Sequence, residues 1–222
     1  MSEPRDRILA RLRRKGKGRA GGIGRSGVAL SNRCPNDLVG EFQRRAEAMH
    51  AQVYRVERSG WTHLLERLCR EKAISNLLYG PDGPLGEEIR EASRQQQALP
   101  DLVGFVQEIE VCREQLFFEI EAAVTSVRAG VAATGTLILW PTPAEPRSMS
   151  LVPPIHFAVL DSRAIHASFA DVVEKEGWNR CMPTNALLIS GPSKTADIEQ
   201  TLTHGMHGPT ELVILVLTQA TI

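Results

Sequence analysis

The spacing of apolar residues changes along the chain. Leu38, Phe42, Ala46 and Met49 fall on one face of a helix capped by Asn36 or Asp37 and running to His50. Leu64, Leu65 and Leu68 place a second helix over residues 61–72, and residues 52–56 between the two read as a strand. Residues 73–79 form the next apolar run. Asp82-Gly83-Pro84 is a turn that opens a further helix with proline at its first position. Residues 102–106 read as a short strand, and 117–121 fits neither period.

The second half is plainer. Residues 122–127, 136–140, 155–160, 186–190 and 212–217 are apolar segments of strand length. They are rich in Val, Ile and Leu and lack strict polar alternation, as strands covered on both faces require. Amphipathic helical spacing lies between the last pairs, with Ile165, Phe169 and Val172 on one helix and Ile198 and Leu202 on the other. Strand–helix–strand repetition calls for right-handed crossovers. The expected fold class is α/β: an open, mainly parallel sheet covered by helices on both faces.

Upstream, residues 3–14 read as a helix with Ile8, Leu9 and Leu12 on one side and arginines around the rest. Gly16, Gly18, Gly21, Gly22, Gly24 and Gly27 follow, a density that costs too much backbone entropy for regular structure. The expected organisation is a basic helix over 1–15, a flexible linker over 16–34 and an α/β domain over 35–222. The run Gly22-Ile23-Gly24-Arg25-Ser26-Gly27 lacks the preceding strand and following helix of a dinucleotide loop.

Composition narrows the class. With 42% hydrophobic and 23% charged residues the chain reads as globular and soluble, not disordered. Its longest apolar run, 211–218, is far short of the roughly 20 residues a membrane helix needs. No apolar segment follows the first arginines, so no secretory signal is read. Cys34, Cys69, Cys112 and Cys181 are scattered, with no C-x-x-C pair for a zinc ribbon, a thioredoxin-type site or a locally encoded iron–sulfur cluster. They read as reduced, and the expected location is cytoplasmic. The net charge of zero hides nine basic and two acidic residues within 1–25, which leaves the remainder strongly acidic. Such an arm could meet nucleic acid, a membrane surface or an acidic partner, and a solvated arm that docks on its own acidic body or a partner is favoured. With no aromatic residue before Phe42, nucleic acid is disfavoured.

Ligands of open α/β sheets bind beyond the carboxyl ends of the strands. The loop Gly191-Pro192-Ser193-Lys194-Thr195-Ala196-Asp197-Ile198-Glu199 is therefore expected to leave a strand and enter a helix. Gly191 would turn the backbone, Ser193 or Thr195 would cap, and Lys194 would add charge beside free N–H groups that favour an anion. Asp197 and Glu199 could instead complement the helix dipole themselves. Thr134-Gly135-Thr136 is a tight turn with two hydroxyls. Arg147 is the best carboxylate or phosphate reader in the segment 141–150, and His156 is a general-base candidate at a strand start. His204 and His207 lack the third ligand of a zinc site, so no metal is expected.

Five motifs occur in order: Thr134-Gly135-Thr136, Glu145-Pro146-Arg147, Ser150-Leu151-Val152-Pro153-Pro154-Ile155-His156, the loop from Gly191 to Glu199, and Gly205-Met206-His207-Gly208-Pro209. Together they closely resemble the lactate utilization protein C family, whose core is the LUD domain. The likeness is strong over 122–217 and general before it. It implies a fold similar to the sugar-phosphate isomerase and CoA-transferase group (NagB/RpiA/CoA transferase-like). It also implies a subunit that works with two iron–sulfur partner proteins in oxidising L-lactate to pyruvate. The clusters would reside in those partners, this chain holding no cofactor of its own; a homo-oligomer is left open. The resemblance carries a ligand-binding rim onto Thr134, Gly135, Thr136, Arg147, His156, Gly191, Ser193, Thr195 and Asp197, to which the loop reading adds Lys194. Many LUD proteins have Gly-Ala-Asp where this chain has Ser126-Val127-Arg128, and an acidic residue where it has Ala133, so no catalytic residue is assigned. Two rival readings are an autonomous CoA-transferase or isomerase-like enzyme acting on an acyl-CoA or sugar phosphate, and a non-catalytic interaction protein. All site readings share one proposition: Thr136, Arg147 and Ser193 converge on a single positively biased pocket.

Overall fold

Apolar runs without alternation become the middle of a sheet because both of their faces are covered. In the computed structural model this holds for Ala122–Ser126 (β4), Ile155–Asp161 (β7) and Glu211–Thr218 (β12), which lie among Gln52–Glu57 (β1), Asn76–Tyr79 (β2) and Asp101–Gly104 (β3). The order is β1-β12-β7-β4-β2-β3, and every neighbouring pair is parallel. The structure describes residues 37–95, 98–105, 116–178, 180, 182–196, 202–204 and 208–219. The readings made for residues 1–36 lie outside these.

Successive side chains of a strand point to opposite faces, and the core divides accordingly. Phe157, Val159, Val213, Leu215 and Val124 pack on one face against Trp61, Leu64, Leu65 and Leu68 of the helix Trp61–Glu71 (α2) and Ile89 of Gly86–Arg94 (α3). Ala158, Leu160, Leu212, Ile214 and Val216 pack on the other, against Phe42 and Ala46 of Leu38–Ala48 (α1). Asp37 caps α1 by accepting the Gly40 N–H at 2.8 Å. The short helix Arg147–Leu151 (α4) places Met149 against Leu78 and Ala123, close to the end of β4. Pro84 precedes its helix instead of occupying its first position, since α3 begins at Gly86.

Two of the five strand-length segments belong elsewhere. Thr136–Leu139 (β6) and Leu187–Ile189 (β9) pair antiparallel in a second sheet of order β8-β5-β6-β9, with Ala129–Val131 (β5) and Ile165–His166 (β8). Only four residues join β5 to β6, too few for the crossover that a parallel pair needs. Gly135 makes that turn at φ +65°, its N–H donating to the Val131 carbonyl at 2.9 Å. Leu137 and Leu139 face the core shared with α1, so this sheet covers part of the face that helices alone were expected to cover.

Two helix readings change as well. Ile165 lies in β8, and the helix begins at Phe169 (Phe169–Lys175, α5) behind a reciprocal cap between Ser168 and Asp171. Where the Gly191 loop was expected to enter a helix, Lys194–Ala196 (β10) pairs antiparallel with Leu202–His204 (β11), and residues 197–201 lie outside the described residues. The expected helix rested on Ile198 and Leu202 alone, and two apolar positions do not establish a period.

Candidate functional site

The segment between β6 and α4 crosses the carboxyl end of β4, where parallel sheets place ligands. Thr142 N–H donates to the Glu145 carbonyl and Glu145 N–H to the Thr142 hydroxyl, each at 3.0 Å, which fixes the turn. Glu145 is buried beneath the loop that follows β2, which approaches so closely that a Cβ on Gly83 would stand 2.9 Å from its Oε1. Its Oε2 accepts the Ser126 backbone N–H at 3.1 Å and the Ser126 hydroxyl. Burial raises the carboxyl above its ordinary range and outweighs the two Ser126 hydrogen bonds, which act the other way.

His156 stands near the start of β7, in register with Ala123 and Leu212. It is 0% exposed. Its Nε2 is 2.8 Å from Thr125 Oγ1, and its Nδ1 has no partner among the described residues. Burial pushes the imidazole down to about 4, so the ring is neutral near pH 7. A buried ring nitrogen without a partner is costly and calls for a ligand or solvent contact.

Two cavities share Ser150 as a wall, and His156 lines one of them. One of about 90 Å³ is walled by His156, Ser150, Gly191, Ser193 and Gly208, its rim closed where Ser193 N–H donates to the Pro209 carbonyl at 2.8 Å. The other, of about 10 Å³, is walled by Thr125, Ser126, Glu145, Arg147 and Ser150. Ser150 borders both and is held by donating to the Arg147 carbonyl at 3.0 Å. Arg147 is exposed and makes no ion pair among the described residues. The larger space is several times what one water needs, which suits a compound of a few heavy atoms.

The single pocket is therefore corrected to a pair of adjoining cavities, and Thr136 lines neither. The Thr134 and Thr136 hydroxyls lie 2.7 Å apart, and Thr136 reaches Ser190 at 2.9 Å, a tie between the β5–β6 turn and the end of β9. Gly135 and Gly191 serve packing: a Cβ would come within 2.4 Å of Ala46 N in the first case and 2.5 Å of Met49 O in the second. Lys194 and Thr195 lie on β10, which removes the helix start that was to hold an anion beside them. Asp197 lies outside the described residues. His156, Gly191 and Ser193 share the larger cavity, and Arg147 borders the smaller.

Arg128, at the position that departs from the family pattern, is turned to Glu176 at 2.6 Å and lies 5.0 Å over the ring of Trp140, which walls the smaller cavity, while Arg128 itself lines neither cavity. The buried Cys69 thiol is pushed up to about 12 and is no nucleophile. Thr125 went unread in the sequence, and Ser126, Glu145 and Ser150, though quoted in its motifs and departures, were not assigned to the site. The carboxylate between Pro143 and Pro146, next to a strand end, was the available signal for Glu145.

The model of the LUD domain family matches residues 39–217. An uncharacterized protein of Neisseria meningitidis serogroup B is 39% identical over 77% of this chain and 72% of its own length. Lactate utilization protein C of Macrococcus caseolyticus is 33% identical over 39% of each chain, so the match spans well under half of that relative. The crystal structure of a DUF162 family protein from Deinococcus radiodurans superposes with a TM-score of 0.57 at 17% identity, covering 82% of this chain and 96% of that one, a likeness of fold. The lactate utilization protein C resemblance read from the motifs agrees with these matches, and the chain belongs to the LUD domain family.

Proposed function

We propose that this chain serves L-lactate utilization as the subunit without a cluster, binding a small carboxylate in the cavity beside His156. Oxidation of L-lactate to pyruvate releases two electrons and two protons, and iron–sulfur partner proteins are the acceptors of the electrons in this reading. Relatives named lactate utilization protein C support the pathway. The observation that carries the ligand reading is the fully buried His156 with its Nδ1 left over, in the wall of a cavity of about 90 Å³. A neutral ring offers Nδ1 as a donor to a carboxylate or as an acceptor from a hydroxyl, and Arg147 supplies positive charge at the adjoining cavity.

An acyl-CoA or sugar phosphate has less support. Sites for larger ligands run to roughly 300–1,000 Å³, against about 90 Å³ for the cavity beside His156, and the expected anion-binding helix start is a strand. Isothermal titration of the purified chain with L-lactate, pyruvate and inorganic phosphate tests the ligand class, with growth of a deletion strain on L-lactate as the test of the pathway. Binding of L-lactate or pyruvate that is lost in His156→Gln is expected. Binding of phosphate alone, or normal growth of the deletion strain on L-lactate, overturns the proposal.

A further inference from the structure

The smaller cavity lies between two groups that the ligand reading leaves unconnected. On one side Thr125 carries the hydrogen bond to His156 Nε2, and on the other stands Glu145, held by Ser126. The cavity's polar wall is made of Thr125, Ser126, Ser150, Glu145 and Arg147, beside an apolar part that includes Leu139 and Trp140. Its volume of about 10 Å³ is the space one water needs, and the walls offer the two to four polar partners that hold such a water.

We infer that Glu145, one water and Thr125 form a proton relay behind His156, so that a proton taken up at Nδ1 from the larger cavity comes to rest on Glu145. With Glu145 ionised, the water donates to the carboxylate, Thr125 donates to the water, and His156 Nε2–H donates to Thr125. Nδ1 then presents a lone pair to the larger cavity. A proton arriving from a ligand hydroxyl forms the Nδ1–H bond as the ligand O–H bond breaks. The Nε2 proton passes to Thr125, the Thr125 proton to the water, and a water proton to Glu145. One proton enters and one is stored; no electrons move. Nδ1–H is then a donor, suited to the carboxylate or carbonyl of a bound acid. Glu145 and Thr125 are positioning residues, since neither lines the larger cavity.

Burial works in the same direction, because it keeps His156 neutral and raises the proton affinity of Glu145. The ionisable residues on the surrounding elements are Arg147 on α4, Asp82 in the loop after β2, Glu121 before β4 and Glu211 on β12. Glu211 pairs with Lys72, Glu121 accepts from the Ser75 backbone, and none of the four is paired with Glu145 or His156 among the described residues.

The relay rests on the ligand reading only for the source of its proton, and it is tested without ligand. Long-range ¹⁵N NMR of the full chain reports which ring nitrogen of His156 carries hydrogen, while ¹³C NMR follows the Glu145 carboxyl over pH. The expected result is exchange of the two nitrogen signatures with the midpoint of the Glu145 titration. Thr125→Val and Glu145→Gln abolish that exchange, and Thr125→Ser, which keeps the hydroxyl, retains it. A tautomer that stays constant while Glu145 titrates, or an exchange that survives in Thr125→Val, overturns the relay. Adding L-lactate or pyruvate separates the two ideas. An intact exchange with no binding removes the ligand reading alone, and binding without exchange removes the relay alone.

Discussion

Replacing His156 by Gln tests the burial of a neutral imidazole in this fold. In the unfolded chain the ring takes a proton at its ordinary value of 6.5, whereas in the folded protein burial delays this to about 4. Between these values the unfolded state binds more protons, so stability is lost as pH falls through the window. The separation amounts to about 3 kcal/mol between pH 7 and pH 4, with a slope of about 1 kcal/mol per pH unit near pH 5. Glu145 acts with the opposite sign. Its folded carboxyl is raised above 4.5, so the folded state holds the extra proton first and gains stability on acidification from that raised value toward 4.5. His156→Gln is therefore best compared with its parent in a Glu145→Gln background. Urea unfolding at pH 7, 6, 5 and 4.5 is the assay. Any constant cost of the substitution cancels in the pH dependence, which should flatten by most of those 3 kcal/mol. Parallel curves for parent and variant would show that the folded ring protonates as freely as the unfolded one, and the buried-imidazole argument would be refuted.

Three further outcomes are expected. Gly135→Ala forces a Cβ into a left-handed turn and against the backbone of α1, at a cost of about 3 kcal/mol in chemical denaturation; a loss below about 1 kcal/mol contradicts this packing. Arg147→Ala weakens L-lactate binding by less than about tenfold in titration calorimetry, since Arg147 borders the smaller cavity and acts on the ligand through its charge without lining the larger one, with the melting temperature unchanged because the side chain makes no ion pair among the described residues. Glu145→Gln removes a buried charge while keeping an acceptor for Ser126, and raises the melting temperature at pH 8; a decrease there would mean that the buried carboxylate stabilises the fold.

The centre of the parallel sheet was legible because β4, β7 and β12 are apolar on both faces, a property of each segment alone. The second sheet was not. Ala129-Gly130-Val131 carries little strand signal, and it becomes β5 through pairing with β6 and β8 and contact of Val131 and Ala129 with Val172 and Trp178. His156, Gly191 and Ser193 could be named from local motifs and come together in space. Thr136 could not be separated from them in advance, since its hydroxyl is used up by Ser190, which lies 54 positions later. Glu145 stayed hidden for a related reason. What buries it is the loop after β2, more than 60 positions earlier in the chain, and only the folded backbone brings that loop within reach.

The end of α1 is gripped on two sides by glycine backbones, at Gly135 from the second sheet and at Gly191 from the cavity wall. Contacts at that range leave no slack for a helix to slide along its axis, because interiors packed to crystal density give way only by discrete rearrangement. The part of the wall beside His156 that Gly191 supplies is thus indexed to the end of α1 by a contact between backbones, which side-chain motion does not relax.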